Sequence, residues 1–297
     1  MKKLKPGASR PVLHRRNKRG QLGEIWHRIK KNKGAVIGLI ILAILVLLLI
    51  VSLFMPFKLA TGGSGKIRFT APSWQYPFGT DNQGRNVFYR VIYGTRYSLA
   101  IGLGSVAFGL VIGTVAGSYA GYYGGKVDDI ILRCSDVLAS IPGMLLGMVI
   151  VTVLGTSVRN LIIAVGVQCV PQFLRITRAS ILTIKDNEFV EAAKAIGFSD
   201  NRILFTQVLP NGLSPVIVLI STTLGTVIIL AASLSYLGFG VPVPHPEWGA
   251  MISSSRDFIR TQPYLITFPG LFIMITVLAF NLVGDGLRDA LDPKLKR

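Results

Sequence analysis

The sequence predicts an all-α membrane protein with six transmembrane helices, a fold class that rests on three observations. Of 297 residues, 51% are hydrophobic and only 15% charged, and the mean hydropathy is +0.54. Six apolar stretches are each long enough to cross a hydrocarbon core of about 30 Å. The cationic residues cluster beside the first of them: twelve of the 32 Lys and Arg lie in residues 1–33. Composition excludes a disordered chain and argues against an ordinary soluble enzyme. The net charge of +18 invites a nucleic-acid reading, but its position beside an apolar run is that of a cytoplasmic membrane flank instead.

The first span is residues 34–54, uncharged and rich in Ile and Leu. It is too long for a signal-peptide core and reads as a retained anchor. Ahead of it, in the basic tail 1–33, Leu22, Ile25, Trp26 and Ile29 recur at helical spacing among Arg28, Lys30, Lys31 and Lys33. That pattern fits an amphipathic helix among lipid headgroups or a solvated tail. The other five spans are 97–121, 136–156, 160–180, 212–238 and 264–284, with an extracytoplasmic loop at 55–96. With the N-terminus inside, cytoplasmic segments hold 23 Lys and Arg and outer segments 9, which places both termini in the cytoplasm of a multi-pass protein. In the second span Ser105, Gly109, Gly113, Gly117 and Gly121 recur every four residues. Such a face lets two helices approach closely, whether within the chain or between chains.

The spans lack the mid-membrane carboxylates and histidines of ion-driven transporters. Asp128, Asp129, Arg133 and Asp136 flank the third span and Asp285 ends the last. Gln168, Thr222, Thr223 and Ser233 can line a path or bond helix to helix. Energy for transport is therefore expected from a partner. Cys134 and Cys169 form no CxxC pair, and His14, His27 and His245 form no cluster at ligand spacing, so no metal site is expected. No set of nucleophile, base and orienting group stands out, so the chain reads as a transport subunit, not an enzyme. Gly62-Gly63-Ser64-Gly65-Lys66 lacks the first Gly and the magnesium-binding Ser or Thr of a phosphate loop.

The most informative stretch lies between the fourth and fifth spans, at 187–210. Asp186 or Asn187 can cap a short helix, and Glu188 and Glu191 suit its N-terminal end. Ala192, Ala193 and Ala195 make a thin helix that another protein can approach, and Gly197 permits the left-handed turn that stops it. Ser199 is placed to cap a second short helix, closed by Leu209-Pro210 before the next span. The expected product is a rigid two-helix bracket on the cytoplasmic face.

Glu191-Ala192-Ala193, Gly197 and Leu209-Pro210 resemble, at fixed spacing, the Glu-Ala-Ala loop of permeases in ATP-binding-cassette importers; Gln207 replaces the usual Ile. Gly79-Thr80-Asp81, Gly84-Arg85, Gly121-Tyr122-Tyr123-Gly124-Gly125, Glu247-Trp248-Gly249 and Asp285 through Arg288, Asp289, Asp292 and Pro293 are similar to segments of dipeptide, oligopeptide and nickel permeases. Asn86 stands where that group carries Asp. The long anchor and basic tail resemble the shorter, second permease of such pairs.

The resemblance implies an anchor followed by a five-helix MetI-like core, 97–297, in the bacterial inner membrane. Glu191 to Gly197, with Lys194 among them, would form a coupling helix that docks on an ATPase subunit. It further implies a heterodimer with a second permease, two ATPase subunits holding ATP and magnesium, and an extracytoplasmic binding protein delivering di- or oligopeptides. This chain would hold no cofactor of its own. Nickel uptake is the alternative of the same class, and a stand-alone secondary transporter that of another. Asp81, Arg85 and Arg96 are candidates either for contact with the binding protein or for salt bridges within the loop.

Overall fold

The computed structural model describes residues 21–291. A short helix α1 (Gln21–Lys31) leads into the anchor α2 (Lys33–Phe54), followed by α3 (Phe57–Thr61). The core is α4 (Val87–Tyr123), α5 (Gly125–Ser140), α6 (Gly143–Leu154), α7 (Val158–Ile184), α8 (Glu188–Ala195), α9 (Asp200–Ile203), α10 (Leu209–Leu234), α11 (Trp248–Ser255) and α12 (Tyr264–Leu291). No strand is formed among the described residues. Five helices are long and apolar enough to cross a membrane, and the bent pair α5–α6 makes a sixth candidate.

The helices of the core are longer than the apolar runs. α4 begins at Val87, ten residues ahead of the expected 97, and its 37 residues reach ~55 Å. Asn86 starts it, its side chain accepting from the Phe88 N–H at 3.0 Å. Arg90 and Arg96 interrupt the apolar pattern there, yet the turn is buried through Val87 and Val91. The third span, 136–156, is not one helix: α5 and α6 meet at 91°. Ile141, ahead of Pro142, is extended (φ −89°, ψ 127°), as the proline ring requires of the residue before it. Leu209-Pro210 does not close the bracket either. α9 runs through a π turn, Leu204–Val208, directly into α10. The widened turn accepts a proline, which lacks the N–H that an α-turn uses.

α4 packs most extensively against α7. The small-residue ladder of α4 is this internal contact: a Cβ on Gly113 would stand 2.7 Å from the Val170 carbonyl, and one on Gly121 2.9 Å from that of Arg178. Gly109 and Gly117 abut α7 in the same way, and Ser105 Oγ donates to the Ile162 carbonyl at 3.1 Å. Backbone-to-backbone approach replaces the hydrophobic drive that lipid does not supply. α10 and α12 close the bundle, and α2 lies on α12 and α4. One flank of α2 stays exposed through Ile37, Ile40, Ile44, Leu47 and Val51, as a lipid-facing helix requires. α1 rests on α12 through Ile29, Leu287 and Ala290. Its Trp26 is exposed, with Lys30 Nζ 5.1 Å above the ring.

Candidate functional site: the 187–210 bracket and the faces it joins

α8 begins at Asn187, whose carbonyl rather than side chain accepts from the Val190 N–H at 2.9 Å. Glu188 and Glu191 occupy the first turn and Lys194 the last, each at the end where the helix dipole favours it. The helix stops as the residue types require: Gly197 sits at φ +85°, Gly197 N–H bonds the Lys194 carbonyl at 2.9 Å, and Phe198 N–H bonds that of Ala193 at 3.1 Å. Ser199 stands at the N-cap of α9 without a side-chain cap bond; its carbonyl accepts from Ile203 N–H at 3.0 Å.

The bracket has its own small core. Val190, Ala193, Ile203, Leu204 and Val208 are buried with Ile181 of α7, and Tyr119, Tyr122, Ile184, Phe198 and Leu209 pack around them. Two phenols at the end of α4 hold α9: Tyr122 donates to Asp200 Oδ1 at 2.9 Å and Tyr123 to Asn201 Oδ1 at 3.0 Å. Arg202 lies on the Phe198 ring at 4.1 Å, and Lys194 stands 5.9 Å from the Tyr122 ring. A load on α8 is therefore carried into α4, α7 and α10 together. Nearby, Arg178 of α7 grips Asp128 of α5 in a two-pronged pair at 2.6 and 2.5 Å.

The opposite face of α8 is free. Glu188, Phe189, Glu191, Ala192, Lys194 and Ala195 are exposed, and Ile196 is 70% exposed. Of the alanines expected to make a thin helix, Ala193 points into the core and Ala192 and Ala195 point out. Leu209 is half-buried against the bracket's core, and Pro210 is exposed. Phe189 and Ile196, seven residues apart with Ala192 between, form an apolar stripe legible from helical spacing. The tyrosines were not legible as bracket residues, because their role depends on where α4 ends.

The 79–85 motif lies at the opposite end of α4 from the bracket. Gly79, Thr80, Asp81, Gly84 and Arg85 tie a knot in the loop before α4. Arg85 Nε bonds Asp81 Oδ2 at 2.6 Å, Arg90 Nε stands 3.6 Å away, and all three residues are buried. Thr80 accepts from Thr70 N–H at 2.8 Å, its hydroxyl donates to the Ile67 carbonyl, and its own carbonyl accepts from the Tyr264 hydroxyl at 3.1 Å. Gly79 and Gly84 take φ of +73° and +71°. Of the two readings of Asp81 and Arg85, the salt bridge within the loop is the one formed. Arg96 instead stacks on Tyr93, 3.8 Å from the ring centre. Beside the knot, Glu247 caps α11 by accepting from Gly249 and Ala250 N–H at 2.8 Å each, and burial pushes its carboxyl up from the ordinary range.

At the end of α12, Asp289 accepts from Asn32 Nδ2 at 3.0 Å while Asn32 Oδ1 caps α2, and Gly286 meets Ala35. Asp285 and Arg288 are exposed; Asp292 and Pro293 lie outside the described residues. Among the described residues no group of His, Cys, Asp and Glu stands at metal-holding distance.

Residues 113–297 match the family model described as binding-protein-dependent transport system inner membrane component, and residues 20–72 match that of the N-terminal transmembrane domain of oligopeptide transport permease C. The dipeptide transport system permease protein of Alkalihalophilus pseudofirmus is 43% identical over 92% of this chain and 90% of its own length. The glutathione transport system permease protein of Pectobacterium atrosepticum is 41% identical over 97% and 96%. A chain in an inward-facing structure of the MetNI methionine ABC transporter superposes with a TM-score of 0.56 at 20% identity, covering 69% of this chain and 98% of that one. On the matched 113–297 region and these relatives, the chain belongs to the binding-protein-dependent transport system inner membrane component family and is a permease subunit of an ATP-binding-cassette importer.

Proposed function

We propose that this permease passes short peptides inward and that the 187–210 bracket is the lever through which ATPase subunits drive it. The bracket's geometry carries the reading: an exposed stripe of Phe189, Ala192 and Ile196 on a helix whose opposite face is bonded into α4, α7 and α10. An exposed apolar stripe rimmed by charges is a docking surface for protein. In this reading Glu191, Ala192 and Lys194 meet the ATPase, while Ala193, Gly197, Leu209 and Pro210 keep the bracket in shape. The partners are a second permease, two ATPase subunits that hold ATP and magnesium, and a binding protein on the outer face. Both termini and the bracket lie on the cytoplasmic side, which the distribution of Lys and Arg supports. ATP binding closes the ATPases, the bracket moves with them, and the path turns outward; hydrolysis resets it. Peptides are favoured as cargo over nickel because the substrates for which the relatives are named, dipeptides and glutathione, are both short peptides.

The test is Ile196→Asp in the complete transporter. The side chain is 70% exposed, so this chain folds unchanged and still purifies with the second permease. The expected result is loss of ATPase co-purification and of ATP-driven dipeptide uptake. Uptake at the unmodified rate with ATPases bound contradicts the docking assignment.

A further inference from the structure

Trp74 is the most exposed large hydrophobic side chain among the described residues, at 104% of its reference area. Tryptophan is seldom left wholly in water, and it is enriched where a partner covers it. The loop that presents it is tied down. Ser73 N–H donates to the Tyr76 carbonyl at 2.9 Å, Tyr76 N–H donates to Ser73 Oγ at 3.2 Å, and Gly79 N–H donates to the Tyr76 carbonyl at 2.8 Å. Below this turn the Tyr264 hydroxyl joins the Thr70 and Thr80 carbonyls at 3.3 and 3.1 Å, and Phe78 stacks on Phe268 at 3.9 Å. Trp74 is thus held out at the tip of a braced loop.

The same loop is joined to the turn between α11 and α12, where the Phe69 and Phe258 rings lie 4.8 Å apart. Beside that pair in sequence, Lys66, Arg68, Arg256 and Arg260 are exposed, and Ile259 is 56% exposed. The acids of segments 62–86 and 256–263 are Asp81, buried in the knot, and Asp257, which stands 3.6 Å from Arg256. Four exposed cations against one exposed acid attract an acidic partner. In the orientation proposed above, the positive-inside rule disfavours cations on this side, so membrane insertion does not account for them. Lipid is the competing cover for Trp74, and α4 argues against it. It starts ten residues ahead of the apolar run at 97, which carries the knot about 15 Å past the hydrocarbon boundary. The headgroup layer is only about 5–8 Å deep on each side.

We propose that the surface built from the 62–86 loop and the 256–263 turn is where the extracytoplasmic binding protein sits, with Trp74 entering an apolar cup on that protein and Lys66, Arg68, Arg256 and Arg260 facing a carboxylate-rich rim. The division of labour follows from the chemistry. Long-range attraction between opposite charges sets how fast the partner arrives, and a buried tryptophan sets how long it stays. The inference rests on the importer reading and extends it to a named surface and to the chemistry of the partner that fits it.

The test measures association and dissociation of the transporter's own purified binding protein on the complete permease–ATPase complex in lipid nanodiscs, at low and at high salt. Trp74→Ala and the double variant Arg68→Glu, Arg260→Glu change exposed side chains only, and subunit co-purification checks assembly. Trp74→Ala is expected to speed dissociation about tenfold or more without altering the salt dependence. The charge variant is expected to slow association about tenfold at low salt and far less at high salt. As a second reading, Gln75→Cys in a Cys134→Ser, Cys169→Ser background carries an environment-sensitive fluorophore, which shifts to the blue when the binding protein is added. Unchanged rates in either variant overturn the assignment while the importer reading stands. A blue shift caused by the nanodisc lipid alone also overturns it and gives the loop to the membrane. If the unmodified complex binds no binding protein in any nucleotide state, the importer reading falls and this one with it.

Discussion

At Gly197 a Cβ would meet no atom within 4 Å, so the position demands glycine for its φ of +85° and not for space. A substitution there is paid in backbone energy: about 1–2 kcal/mol for Ala, and less for Asn, which tolerates the left-handed region. Hydrogen exchange of the α8 amides in the assembled transporter reads this directly. Gly197→Ala is expected to open α8 about tenfold more often and Gly197→Asn less; equal protection in both contradicts the turn's role. Gly197→Asp adds a charge at the docking edge and is expected to stop uptake. This residue was legible because a glycine after an alanine-rich turn has one common use. Asp81, Arg85 and Arg96 were not: three charged residues in an outer loop read alike, and only the buried knot separates the 2.6 Å pair from the arginine stacked on Tyr93. Glu247 stands out in the sequence only as part of a motif, and its neighbours there do not reveal that its carboxylate is a helix cap. Glu247→Ala strips both acceptors from the start of α11, with an expected cost of about 1–2 kcal/mol in thermal unfolding of the purified complex.

At the level of the element, apolar runs marked the spans but not the helices. The first turns of α4 carry Arg90 and Arg96, and α5 carries Asp128, Asp129, Arg133 and Asp136, so neither reads as membrane helix although both belong to the bundle. Pro142 sits in an unbroken apolar run, which hid a 91° bend; Pro210 advertised a break that a π turn absorbs. A proline signals a constraint on two residues, and neighbouring packing decides whether the result is a bend or a wider turn. The small-residue ladder was visible in sequence, though its partner was not. Now that α7 is that partner, Gly117→Leu is expected to push α4 off α7. Overpacking of this kind costs about 1–3 kcal/mol or more, so the complex should lose several degrees of thermal stability. Ala107→Leu, on the exposed side of the same helix, should lose none. Equal effects contradict the internal role of the ladder.

Across the described residues, the arrangement is a helix bundle joined to a bracket with its own small core. The bracket's core is continuous with α4, α7 and α10, and α7 and α10 also line a cavity of about 530 Å³ with Gln168 and Thr223. In the reading proposed for the bracket, movement at α8 would reach that cavity through these two helices and so couple a nucleotide cycle to a path. The Arg178–Asp128 pair ties the α5 arm to the same frame. Charge reversal at Asp128 alone is expected to slow uptake, and exchanging the two charges together to restore part of it.

The most direct measurement is to place a cysteine at Ala192, on the exposed face of α8, in a Cys134→Ser, Cys169→Ser background of the complete transporter. An impermeant thiol reagent should reach it in inside-out vesicles and not in intact cells, and a short cross-linker should join it to the ATP-hydrolysing subunit. Modification from outside intact cells, with no cross-link to that subunit, would contradict the account at its centre.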